Sequence, residues 1–233
     1  MSARLASFRG PSTPTSSPVQ QSKHQPTPHS PSRLAESTYH RKVRTLLLEI
    51  RAVTETWESI VLVDGLKAAK SLVDTRTDLE NELSLLPAGT QPRHHLVQPK
   101  LALMDKRITE LDQVIVKLQK QFQRMNMLVE QLEALFHETH KTKGWQSVQE
   151  PLWATWSLDK FASCVPDILS PYYRSLEMHR DIVNILRSHS VTFEVSRDAL
   201  TRWVAEPFLE DGGWDNYWED LCEAEIDRWS IGK

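Results

Sequence analysis

Few residues in this chain combine the types and spacing that chemistry needs. His137-Glu138-Thr139-His140 comes nearest. A zinc-protease helix carries H-E-x-x-H, which sets two imidazoles on one face with a Glu beside them. Here the second His comes one position early, at the end of a helical pattern. Lys141-Thr142-Lys143-Gly144 follows and reads as a basic last turn and a Gly stop, so capping is the better account. His94-His95 lies between prolines, without further ligands at metal spacing. The two cysteines, Cys164 and Cys222, are far apart and unmatched by nearby ligands, which suits a reducing compartment. No phosphate-cradling Gly-rich loop, metal quartet, or nucleophile with a base at recognisable spacing is found. The expectation is a protein that is not an enzyme, with no catalytic residue, no metal and no cofactor.

A second kind of chemistry, modification, is written into residues 1–36. This arm is rich in Ser, Thr, Pro and Gln and poor in apolar groups. It cannot bury enough surface to offset a backbone ordering cost of roughly 1–2 kcal/mol per residue, so disorder is expected. Thr13, Ser17, Thr27 and Ser30 each precede a proline, the pattern that proline-directed kinases read. Ser30-Pro31-Ser32-Arg33 adds a basic residue three positions on, which suits a cyclin-dependent kinase best. Phosphate there would add about −1.5 to −2 charge per site to a basic arm. The plainer alternative is that any Ser/Pro-rich tail produces such steps.

The third kind is recognition. Trp203, Pro207, Phe208, Trp214 and Trp218 stand near the C-terminus as candidate partner contacts, because Trp and other aromatic anchors dominate interfaces. Residues 206–227 carry many acids and no Lys or Arg. Trp214, Tyr217, Trp218 and Leu221 share one helical face. Such a segment is either a terminal helix packed on its own domain or a tethered anchor for a basic partner surface.

Elements that could position these residues are helical. From Leu101 to Phe136 every step of a 3-4-3-4 ladder is apolar: Leu101, Met104, Ile108, Leu111, Ile115, Leu118, Phe122, Met125, Val129, Leu132 and Phe136. That period belongs to an α-helix, here about 53 Å long, and no strand can use it. Val114, Leu128 and Leu135 widen the stripe beyond what a two-stranded seam wants. Another helix, from this chain or a partner, must cover it, and an adaptor reading predicts that a second chain completes the seam. A first helical ladder, Val43, Leu46, Ile50, Val53, Trp57 and Ile60, starts behind Ser37 or Thr38 as N-cap. It breaks at Asp64-Gly65 and resumes in another phase at Leu72, Leu79, Leu83 and Leu86. Residues 87–99, bounded by prolines, read as the connection that brings the long helix back antiparallel. Ser170-Pro171 and Ser196 read as starts of two later helices.

The expected fold is all-α, an elongated antiparallel helical bundle or coiled coil with a disordered N-terminal arm. Its parts are the arm at 1–36, a helical hairpin at 37–140, a C-terminal helical region at 141–210 and an acidic-aromatic tail at 211–233. The net charge of −3 creates no field favouring nucleic acid, and no apolar run is long enough to span a membrane.

The Trp153-Ala154-Thr155-Trp156 block, Phe161, the run Tyr173-Arg174-Ser175-Leu176-Glu177-Met178-His179-Arg180 and the run Trp203-Val204-Ala205-Glu206-Pro207-Phe208-Leu209-Glu210 together resemble the cyclin-dependent kinase 2-interacting protein family. The resemblance covers about residues 40–210. It implies a non-enzymatic adaptor subunit, nuclear and also cytoplasmic, that pairs with a second small helical protein. That pair would sit on a AAA ATPase assembly in large ribosomal subunit maturation and in replication and chromatin upkeep. A cyclin-dependent kinase, the replication-initiating kinase and the ATR checkpoint adaptor belong to the same implied circle; that neither nucleic acid nor a membrane is contacted directly is expected from the charge and apolar pattern alone. The alternatives are a self-associating coiled coil and a phosphorylation-regulated kinase partner.

Overall fold

A computed structural model describes residues 37–87, 89–210 and 214–227, with the backbone alone at 214 and 215. The described residues from 37 onward belong to one compact unit. Helices α1 (Thr38–Ser59) and α2 (Leu66–Ser84) form a nearly continuous rod. Ser37 is the N-cap, its hydroxyl accepting from the His40 N–H at 3.4 Å. The whole predicted ladder from Val43 to Ile60 is buried. The break expected at Asp64-Gly65 is a single π-helical turn, Ile60–Gly65. A π turn holds one residue more than an α turn and so rotates the apolar face. This is why the ladder resumes out of phase, with Leu72 and Leu79 buried beyond it.

α3 (His94–Lys143) runs 50 residues, about 75 Å. It starts inside the stretch read as connection, so Pro99 lies within the helix. The His95 carbonyl thereby loses its helix donor, which an exposed residue tolerates because water replaces it. Gly144, at φ 82°, ends the helix, its N–H donating to the His140 carbonyl at 3.0 Å. Four ion pairs set the antiparallel register against the rod: Lys42–Glu138, Glu49–Arg124, Asp64–Lys117 and Glu82–Lys100.

Beyond it come α4 (Trp145–Gln149), α5 (Leu158–Cys164), a 3-10 turn (Val165–Ile168) and α6 (Leu169–Arg187). α6 is antiparallel to α3, pinned by Arg180 to Gln119 at 3.0 Å and by Arg187 to Asp112 at 2.5 Å. Ser170 is not its cap, because the helix continues directly out of the 3-10 turn, where Pro166 stands at the free start. α7 (Phe193–Ala205) is capped by Thr192 rather than Ser196. Ser196 is buried instead, accepting from Arg76 at 3.1 Å, while the same guanidinium donates to the Leu186 carbonyl at 2.6 Å. Arg76 thus closes the C-terminal turn of α6 and fastens α7 to α2. α8 (Pro207–Glu210), α9 (Trp214–Leu221) and a π turn (Cys222–Asp227) complete the unit.

The fold is all-α, a bundle of α1–α2, α3 and α6 with the shorter helices laid over it, and the described residues hold no strand beyond one isolated bridge, Pro151 to Ser157. The long seam of α3 is closed by this chain's own helices. Met104, Leu111, Leu118, Met125 and Leu132 are buried, and so are the flanking Val114, Leu128 and Leu135. The expectation that a second chain completes the seam is therefore corrected: α1, α2, α5 and α6 pack along it.

Candidate partner-binding surface

The run Trp203 to Glu210 builds a node where α1, α6 and α7 meet. Glu206 is the one residue other than glycine at positive φ among the described residues (φ 36°). This left-handed geometry ends α7 and turns the chain into Pro207. Its buried carboxylate accepts from the Trp57 indole N–H and the Ser175 hydroxyl, both at 3.1 Å. Trp57 in turn meets Tyr172 edge-on at 5.1 Å. Trp203 is fully buried. Its indole N–H donates at 3.0 Å to the Val61 carbonyl, which also takes the π-turn bond from Leu66. Its ring fills the space over Gly65, where an added Cβ would meet Trp203 Cζ2 at 2.4 Å. No other residue type fits that approach without displacement.

Ser175, His179 and Glu206 here lie together, a trio that sequence spacing conceals. It does not have the geometry of a nucleophilic triad. Ser175 donates to Glu206, and His179 Nδ1 lies 2.8 Å from the Ser175 carbonyl, so it carries the proton and cannot act as a base toward the hydroxyl. Both residues are wholly buried. Burial lowers the His179 pKa to about 4, against hydrogen bonding of the ring to the Ser175 and Trp203 backbone, which favours the charged form. The trio is a packing node.

Outside this node the surface changes character. A cup of about 300 Å³ opens above it, lined by Glu55, Glu58, Glu206, Glu210 and Glu219 with Leu62, Val204 and Leu209, and with no Lys or Arg among its lining residues. Arg51 answers Glu55 and Glu219 at 3.5 and 3.4 Å. Val204 also lines a shallow groove with Leu66, Leu200 and Ala205. Leu62 (37% exposed) and Val204 (47%) are large apolar side chains left in solvent at the cup.

Of the partner contacts predicted from sequence, Phe208 is exposed and Pro207 half-buried. Trp203 and Trp218 are corrected: both are core residues of this chain, Trp218 being 1% exposed. The side chain of Trp214 lies outside the described residues, as do Thr13, Ser17, Thr27 and Ser30. The tail is a terminal helix on its own bundle. Leu221, Cys222 and Ile226 are buried with Trp218. Arg51 donates to Asp227 at 2.9 Å. The Glu225 carboxylate, 2% exposed, accepts from the Thr155 N–H and hydroxyl at 3.0 and 2.6 Å, and from the Ala154 and Trp156 N–H groups at 3.2 Å each. Glu219, Glu225 and Asp227 of the tail thus serve internal partners. Burial pushes the Cys222 thiol up to about 12, which removes it from thiolate chemistry.

Sequence reading missed Leu62, Val63 and Val204 as surface. One signal was present: Ile60-Val61-Leu62-Val63 is four apolar residues in a row, and a helix turn cannot bury all four on one face. The remote pairing of Glu206 with Trp57 and of Glu225 with Thr155 left no trace in spacing. His94, His95, His137 and His140 are exposed, and no group of His, Cys, Asp and Glu among the described residues could hold a metal ion. Compared with known proteins, the chain matches no family model and no curated protein sequence.

Proposed function

We propose that this chain is a non-enzymatic helical adaptor subunit. In that reading it pairs with a second small helical protein on a AAA ATPase assembly, in the nucleus, and serves large ribosomal subunit maturation together with replication and chromatin upkeep. The observation that carries the reading is the exposed apolar pair Leu62 and Val204, which line one acidic cup. With the α3 seam closed from within, these side chains remain exposed, Leu62 on the Ile60–Gly65 π turn and Val204 on α7, within the family-like run Trp203 to Glu210. Apolar residues gathered beside carboxylates, rather than scattered singly, mark contact surfaces.

The test is affinity purification of the tagged chain from its own cells, read by mass spectrometry, for the wild type and for Leu62→Asp/Val204→Asp. Recovery of a AAA ATPase and a small helical protein, lost in the double variant, is the expected result. Recovery of this chain alone at a defined oligomer size overturns the reading in favour of self-association.

A further inference from the structure

We infer that the groove beside α7 and the cup at its C-terminal end form one docking surface for an amphipathic helix of a partner protein, one that carries an apolar anchor and, about one turn away, a Lys or Arg. This rests on the adaptor reading and specifies the chemistry of its contact.

The groove supplies the apolar half. Leu66 on α2 faces Leu200, Val204 and Ala205 on α7 across an opening of about 480 Å³, with Thr201 and Arg197 at its edge. Leu66 and Leu200 are half-buried against the core, so their outer sides are open to a partner side chain. The cup supplies the charge. Val204 lines both cavities, so they adjoin. Glu55 and Glu219 are shared with Arg51, whereas Glu58 and Glu210 make no ion pair among the described residues. A cation entering there meets carboxylates and no competing Lys or Arg in the lining. These carboxylates are not a metal-holding set, which favours an extended side-chain cation over a metal ion.

Charge also gives the surface a direction. Arg197, paired with Asp198 at 3.7 Å, stands at the N-terminal end of the groove, about 13 Å along α7 from Glu206. A partner helix whose basic end points to the cup and whose other end is neutral or acidic is matched at both ends. The reversed helix sets Lys against Arg197 and leaves Glu58 and Glu210 unanswered.

Two designed amphipathic peptides with one apolar face test this on the full chain. One carries Lys and the other Glu at the position meant for the cup. Binding is followed by fluorescence anisotropy and mapped by amide shifts. The Lys peptide is expected to bind about tenfold more tightly than the Glu peptide at low salt, falling to within about threefold at high salt. Glu58→Lys/Glu210→Lys should reverse the preference, and Leu62→Asp/Val204→Asp should abolish both interactions. All four positions are at the surface, and circular dichroism checks that the variants stay folded. Equal binding of the two peptides, or shifts confined to another face, overturns the inference. So does dimerisation of the chain that Val204→Asp abolishes, because the occupant would then be a second copy. The purification experiment fails or succeeds separately: a AAA ATPase recovered equally with all four substitutions keeps the adaptor reading and removes this surface from it.

Discussion

His179 is held neutral by its surroundings. Its ring packs edge-on against Trp203 at 4.4 Å, and its pKa falls to about 4 from an ordinary 6.5. As pH drops below 6.5, the unfolded chain takes up a proton that the folded chain refuses. Stability therefore declines from pH 6.5 downward and the loss is complete only below about 4. The shift corresponds to on the order of 3 kcal/mol. Urea midpoints measured at pH 7 and 5 should fall with acidity, and His179→Gln should flatten the slope. An unchanged slope would mean that His179 does not carry the pH dependence. At the same contact, Gly65→Ala should destabilise. Overpacking against Trp203 costs about 1–3 kcal/mol, more than the roughly 1 kcal/mol that Ala gains over Gly in a helix. In a Trp203→Leu background the clash is gone and the sign of Gly65→Ala should reverse, read as the shift in midpoint of thermal unfolding.

Among the elements, the terminal segment 214–227 is held differently from the bundle helices. Its apolar face is short, and much of its attachment passes through one carboxylate. Glu225→Ala removes four accepting contacts and leaves the Ala154, Thr155 and Trp156 N–H groups short of a partner. The expected cost is about 2–4 kcal/mol, confined to that attachment. Hydrogen exchange should quicken in residues 154–156 and 214–227 while α3 remains protected, the pattern of a local opening. Uniform quickening throughout would mean that the tail and bundle unfold as one. The π turn belongs to the same scale. It is a single extra residue in a long rod, kept because it brings Gly65 under Trp203 and offers the Val61 carbonyl to the indole.

For the whole molecule, closure of the seam predicts a monomer. Sedimentation of the full chain at rising concentration should return one species, since the α3 face that would drive a coiled-coil dimer is already covered. The sequence by itself determined the all-α class and the antiparallel hairpin, because period and breakers are local properties: a 3-4 ladder admits only a helix, and Pro87, Pro92 and Gly144 limit where it runs, although Pro99 does not. It also determined the phase shift near Gly65. Three things were decided by tertiary structure alone. The closing partner of the α3 seam depended on whether α6 returned along it, and a ladder of apolar residues is the same whether its cover is internal or foreign. Caps moved from Ser170 and Ser196 because a preceding 3-10 turn and a buried Arg76 outcompeted local cap chemistry. Trp203 and Trp218 became core rather than surface because an aromatic residue suits both environments, and only the position of Gly65, Glu206 and the tail, set by contacts more than 100 residues apart, selects between them.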